Sequence, residues 1–436
     1  MSAPRPYVRD LLRLAGPVAL ARLGIIGMGL ADVVVVGQLA PKELPHQALG
    51  WAPTGLFLVS GIGLLTGVQV LAARVIGEKT PESAGVVLRR GLVLALFAGA
   101  ISASLMWLGG ERLFTIFGIA PDLAAPSARV MNVLALSIPL HLFYIAATYF
   151  LEAIKRPAIS TAVMWTANLV NLGFNLLWVP EHGAVGSAWA TVAARVFLAG
   201  ATLTWIMCMR GGGSLGLHRL GGEGPNYRAL LDVGAAAAVS QAVEAGAFTS
   251  MSIVAGRLGA GAVAAYQILL NLLALVFMAA LGLAAAATVL VSEATGRGAP
   301  GDAARAGWTA LGLNACVMLF AGAIVFAFPD AIAHAYTADA ALAGLIAANL
   351  WLAALVFTPD GAQVVAASSL RARGDNWFPT ASHVLAYAVV MPPLGFWLAE
   401  RQGLGVRGLV LAILVASIVS AAVLLGRWAT LARTER

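Results

Sequence analysis

Charge is what this sequence has least of. Asp, Glu, Lys and Arg make up 11% of its 436 residues, less than half the ~25% of a typical soluble domain. Such a chain cannot cover a water-facing surface. Cysteine is scarce too. The two present, Cys208 and Cys316, both fall in apolar stretches, which excludes a disulfide framework or a thiolate metal site and reads as small packing residues. No HExxH or DxD-like cluster occurs, which argues against a membrane-embedded enzyme. No GxxxxGK[ST] loop occurs either, so any pumping has to draw on an ion gradient. The opening MSAPRPYVRD is polar and lacks the short apolar core and cleavage site of a signal peptide. The formal net charge of +7 does not point to nucleic acid, because the basic residues sit in short loops between apolar segments.

What is abundant is apolar sequence. Hydrophobic residues reach 60% and the mean hydropathy is +0.87. The alternating pattern of a membrane barrel is absent, so the fold class is all-α and polytopic. Hydropathy places twelve transmembrane helices at about 11–40, 48–72, 88–108, 128–151, 159–179, 184–209, 228–257, 262–292, 306–328, 341–369, 379–399 and 405–430, each long enough for a ~30 Å hydrocarbon core. Lys and Arg collect on one side, at Arg74, Lys79, Arg89, Arg90, Lys155 and Arg156 among others. The positive-inside rule makes that side cytoplasmic and puts both termini there. Trp51, Trp107 and Trp377, near span ends, read as interfacial anchors.

The chain repeats itself. Pairing Leu11 with Leu230 and holding that register brings Gly27, Gly37, Gly63, Gly77 and Pro81 onto Gly246, Gly256, Gly282, Gly296 and Pro300. Leu and Ala matches are expected by chance in so apolar a chain. Gly and Pro matches are more informative, since each imposes a backbone requirement. Later, Leu151 and Ala153 meet Leu370 and Ala372. An even number of spans per repeat makes the two repeats parallel, an architecture typical of secondary transporters. The expected organisation is an N-terminal six-helix bundle (1–210), a Gly-rich, flexible cytoplasmic linker (211–228) and a C-terminal six-helix bundle (229–436).

Three acids fall inside spans: Asp32 in "GLADVVVVG", Glu244 in "AVEAGAF" and Asp360 in "TPDGAQVV". An ionised carboxylate at a helix centre costs at least ~2.5–3.5 kcal/mol on insertion scales, and such residues mark ion and substrate pathways. They are the candidate cation- or proton-coupling residues. Asn168, Asn171 and Asn175 add polar groups in span five, and His141, Tyr266, Gln267 and Asn271 add more elsewhere. Asn171 and Asn175, four apart, share one helix face. Two arginines, Arg22 and Arg195, also lie inside spans, as gates or as structural clamps. Arg22 is too far along its own helix, ~15 Å, to pair with Asp32.

These residues together resemble the multidrug and toxic compound extrusion (MATE) family, most closely its NorM-like bacterial branch. Pro17, Asp32 and Gly37 are similar to the family's first-span signature. Glu244 stands where that branch has its glutamate, and Asp360, Arg371, Gly374 and Asp375 match the acid followed by an Arg-Gly turn. Asn175, Arg22, Arg195 and Tyr266 depart from the family pattern. The resemblance implies a multidrug efflux antiporter exchanging Na⁺ or H⁺ for cationic amphipathic organic compounds. It implies no enzymatic activity and no cofactor, and a monomer in the lipid bilayer of the bacterial inner membrane. Glu244 and Asp360 become candidate Na⁺ ligands, completed by Tyr266 or by backbone carbonyls near Pro359. Asn168, Asn171, Asn175, Tyr266, Gln267 and Asn271 become polar cavity candidates. Met28, Phe248, Met251, Phe277 and Met278 become adaptable apolar contacts for substrate. A lipid-linked saccharide flippase of the same superfamily is the alternative, left open by Arg22 and Arg195.

Overall fold

The computed structural model describes residues 7–434 apart from 117 and 220. Residues 1–6, 435 and 436, which the charge pattern assigns to the cytoplasm with the termini, lie outside the described residues. The described residues form helices and no strand. Among the described residues twelve long helices run in chain order: α1 (Tyr7–Leu39), α2 (Pro41–Gly77), α3 (Pro81–Ile116), α4 (Pro121–Ala153), α5 (157–182), α6 (184–208), α7 (Tyr227–Leu258), α8 (Ala260–Gly296), α9 (Pro300–Ala327), α10 (Ala340–Arg373), α11 (Trp377–Arg401) and α12 (Val406–Thr434); all but α7 belong to stretches long and apolar enough to cross a membrane. A short helix, Pro329–Tyr336, links α9 to α10. α5 and α6 are almost continuous and part at Gly183, whose φ of 56° suits only glycine well. α7 is the least apolar of the long helices. It is also the helix that carries Glu244.

Punctuation sets the helix ends. Proline occupies the first turn of α2, α3, α4, α5 and α9, where its missing N–H is no loss and its fixed φ starts the helix. At the other end the repeat reappears in the backbone. α8 and α10 finish with glycines in the left-handed region, Gly298 (φ 65°) and Gly374 (φ 102°). The same register places Lys79 (φ 63°) and Lys155 (φ 61°) after α2 and α4. The first repeat thus keeps the left-handed turn without the residue that makes it easy.

The chain divides into two compact units: an N-unit, Leu20–Ala238, and a C-unit, Met1–Ala19 with Val239–Arg436. Both α1 and α7 contribute to each unit. Within the N-unit, a Cβ at Gly63 of α2 would meet the Ala238 backbone of α7. Within the C-unit, a Cβ at Gly282 of α8 would meet the Ala15 carbonyl of α1. The paired glycines Gly63 and Gly282 therefore serve one purpose, close backbone approach to the N-terminal half of the neighbouring repeat's leading helix.

Two expectations change. The connector is not a slack tether. Its carbonyls are tied to the start of α3: Gly85 N donates to Leu215 O (2.8 Å), Arg89 to Gly216 O (2.9 Å), Arg90 to Gly224 O (2.9 Å) and Ser83 to Glu223 O (2.8 Å). Glycine here frees the backbone to present carbonyls to two arginines rather than to flex. The cysteines are not packing residues. Cys208 and Cys316 are both exposed, on helix faces that a membrane protein turns to lipid.

Candidate functional site

Asp32 sits two turns from the end of α1 and is 1% exposed. Asn175 of α5 donates to its Oδ1 (2.7 Å) and Thr191 of α6 donates to its Oδ2 (2.8 Å). Asn171, fully buried one turn from Asn175, completes the polar patch, and its carbonyl accepts from Asn175 Nδ2 (3.0 Å). The kink at Gly183 brings α5 and α6 back against each other, so both can reach one carboxylate. No Lys, Arg or His lies within ion-pair distance of Asp32 among the described residues. Its hydrogen bonds come from neutral donors, and Arg195 is within electrostatic reach without pairing, so the carboxylate stays available to a cation or a proton. Asn168 joins α5 to α1 instead, its Nδ2 donating to Gly24 O (3.1 Å) and to Met164 O (2.9 Å).

The arginines resolve into clamps. Arg195 of α6 donates to Ser137 Oγ of α4 (2.6 Å) and lies over the Trp51 ring, 5.4 Å from its centroid. Trp51 is thus a cation–π partner, whereas Trp107 and Trp377 are exposed. Arg22 of α1 faces Glu152 of α4 at 3.9 Å and lies over the Tyr149 ring. Gln69 of α2 donates to the other oxygen of Glu152 (2.6 Å). Glu152 is a fourth acid inside the helix packing, and a buried one, that sequence reasoning misses. Hydropathy ends span four at residue 151, because a Glu followed by Lys155 and Arg156 looks like a helix end.

The second site is in the C-unit. Asp360 of α10 is buried, and its Oδ1 accepts from Tyr387 of α11 (3.3 Å) and Ser417 of α12 (3.2 Å). α11 opens into wide π-turns over Val384–Val390, just before Pro392 and Pro393 remove two backbone donors. Those turns present Tyr387. Glu244 of α7 is half-buried and lies within electrostatic reach of Asp360 and Arg371. Arg371 donates to Ser240 Oγ (2.6 Å), one turn from Glu244 on α7. The structure therefore brings Glu244 and Asp360 into one neighbourhood, with Tyr387, Ser417 and His383 as members that the sequence does not single out. His383 is buried, its ring edge-on to Tyr387.

The remaining candidates spread out. Tyr266 is fully buried and its hydroxyl has no hydrogen-bond partner among the described residues. Gln267 donates to Ser252 (3.2 Å) and Asn271 accepts from Tyr336 (3.2 Å), both at exposed positions. Met28 and Met251 are buried. Phe248 and Phe277 are half-buried against the C-unit core, Phe248 with its ring 6.3 Å from Tyr387. Met278 is half-buried too. Among the described residues no cluster of three or more His, Cys, Asp or Glu forms a metal-ion cage.

The chain has relatives among known proteins. The family model MatE matches residues 17–177 and 236–397, one match per repeat. A "Probable multidrug resistance protein NorM" of Caulobacter vibrioides is 41% identical over 434 residues, covering 98% of this chain and 92% of that protein. A protein of the same name from Rhodopseudomonas palustris is 32% identical, covering 99% and 94%. Among solved structures, an outward-facing multidrug resistance MATE family transporter of the MOP superfamily superposes with a TM-score of 0.90 at 20% identity, covering 98% of this chain and 97% of that one. A eukaryotic MATE transporter superposes at 0.87 and 18% identity, covering 99% and 98%. The chain belongs to the MatE family, a family of multi-pass membrane transporters and not of enzymes.

Proposed function

We propose that this protein is a multidrug efflux antiporter of the bacterial inner membrane, in which Na⁺ or H⁺ moving inward drives cationic amphipathic organic compounds outward. The carrying observation is Asp32, buried at 1% exposure and held by two neutral donors. A desolvated carboxylate needs a positive partner. A proton, Na⁺ or an organic cation can each be that partner, but not two at once. Mutual exclusion at one carboxylate is enough to couple their movements. The relatives' printed names support efflux of drugs as the direction of useful work.

In this reading Glu244 and Asp360 bind Na⁺ in the C-unit. Two carboxylates with the Tyr387 and Ser417 hydroxyls form an all-oxygen set, which suits a small hard cation. The arginines that left the flippase alternative open are held internally, Arg22 on Glu152 and Arg195 on Ser137 and Trp51. The test is efflux from proteoliposomes under Na⁺ and pH gradients imposed separately. A Na⁺ gradient alone is expected to drive transport, and Asp360→Asn to remove that response. Transport that follows pH and ignores Na⁺ in the native protein would sink the Na⁺ assignment.

A further inference from the structure

One face of α4 carries a polar residue at every turn. Ser137, His141, Tyr144, Thr148 and Glu152 recur at the spacing of a single helix face. From 137 to 152 they run about 22 Å along the axis. All five are buried. At one end Ser137 holds Arg195, which lies within electrostatic reach of Asp32. At the other, Glu152 faces Arg22 and Gln69. Between them, His141 is within reach of both arginines, with its ring 6.1 Å from that of Tyr144.

Polar residues that merely glue helices together find partners across the interface. Here the row is only partly paired. His141 Nδ1 and Thr148 Oγ1 are buried without a hydrogen-bond partner among the described residues, and Glu152 Oε1 has only Arg22, at 3.9 Å and beyond hydrogen-bond reach. Leaving such atoms unsatisfied is costly, and rows of Asp, Glu and His inside membranes are the material of proton relays.

We propose that the N-unit contains a proton route down α4, from Asp32 through His141 to Glu152, delivering the coupling proton to the cytoplasmic side. This rests on the antiport reading above. The proton leaves the Asp32 carboxyl and reaches His141 through solvent. The neutral imidazole takes it on one ring nitrogen and releases another from the second, so its charge is restored. Glu152 receives the proton on Oε1 and passes it to water beyond the end of α4. The charged groups that act most on His141 are Arg195 from α6 and Arg22 from α1, and on Glu152 it is Arg22. α2 contributes the neutral Gln69, α5 the Ser160 carbonyl that accepts from Tyr144, and Arg89 and Arg90 of α3 are engaged by the connector.

The test uses full-length protein in proteoliposomes with a trapped pH dye and ethidium as the organic cation. His141→Gln and the double variant Arg22→Gln/Glu152→Gln, which removes both charges of the pair together, are compared with the native protein. Three quantities are read: ethidium affinity, ethidium–ethidium exchange at equal pH, and pH-driven accumulation with its proton flux. Expected is at least a tenfold loss of pH-driven accumulation and proton flux, with affinity and exchange within threefold of native. Glu152→Asp, which keeps a titrating group, is expected to retain driven transport. Wild-type rates in His141→Gln and the double variant overturn the proposal. So does an equal loss of exchange and driven transport, the mark of a structural role. A native protein driven by Na⁺ but indifferent to pH overturns the route and leaves antiport standing. A native protein that responds to neither gradient overturns the antiport reading itself. If the double variant does not fold, His141→Gln decides alone.

Discussion

The two units build the same helix pairing with opposite charge. In the N-unit α1 supplies the base and α4 the acid, Arg22 facing Glu152 at 3.9 Å. In the C-unit α7 supplies the acid and α10 the base, Glu244 and Arg371. Glu152 and Arg371 occupy the same register of the repeat, each flanked by the matching Leu and Ala of Leu151–Ala153 and Leu370–Ala372. The consequences differ. Glu152 is buried and engaged from two sides. Glu244 is half-buried, and Arg371 spends a hydrogen bond on Ser240 instead. The comparison separates an acid facing an arginine inside the helix packing from one left more open. Each unit then adds a second acid, Asp32 or Asp360, whose oxygens accept only from neutral donors.

The largest expected effect is at Asp32. Asp32→Asn keeps the size of the side chain and an oxygen for Thr191 or Asn175 to donate to. Coupled efflux should fall at least tenfold while the melting temperature stays within a few degrees of native. If instead the variant melts early, Asp32 is structural and its reading as an exchangeable acid fails.

Next comes stability. Arg22→Gln strands a buried carboxylate and should cost ~3–5 kcal/mol, most of which the second substitution Glu152→Gln should restore. Arg371→Gln removes a hydrogen bond from a charged donor but leaves a half-buried Glu244, and should cost only ~1.5–3 kcal/mol. Equal losses in the two units, read by thermal melting in detergent, would erase the contrast between them.

Smaller effects test the scaffold. Arg90→Ala should free the connector and speed limited proteolysis within 211–225 severalfold, with little change in melting temperature. Unchanged cleavage would mean the carbonyl contacts do not hold it. Lys79→Gly and Lys155→Gly copy Gly298 and Gly374 from the second repeat. Each should gain up to ~1 kcal/mol by relieving left-handed strain, less the entropic cost of glycine. A loss on either substitution would show that the lysine side chain outweighs its backbone.

Most of the scaffold is legible in the sequence, because hydropathy and Pro/Gly punctuation are local signals. The spans, the paired glycines and Pro81 with Pro300 need no tertiary information. The acids Asp32, Glu244 and Asp360 are legible for the same reason: a charge in an apolar run is visible in one dimension. Their partners are not. Thr191 and Ser417 are ordinary hydroxyls in ordinary helices, and only the return of α6 against α1, and of α12 against α10, makes them hydrogen-bond donors to a carboxylate. Glu152 is hidden by its neighbours Lys155 and Arg156, although the spacing of Ser137, His141, Tyr144 and Thr148 before it is a signal that can be read. The connector misleads because glycine is compatible both with slackness and with a backbone held close by arginine.

Exchange at the Asp32 carboxylate is tested by accumulation of a fluorescent organic cation in inside-out proteoliposomes, with a Na⁺ or pH gradient imposed. Native protein and Asp32→Asn are measured side by side. The native protein should accumulate the compound only when a gradient is present. The Asp32→Asn protein, folded and still binding the compound, should accumulate none. Equal accumulation by the two proteins would contradict a coupling role for Asp32.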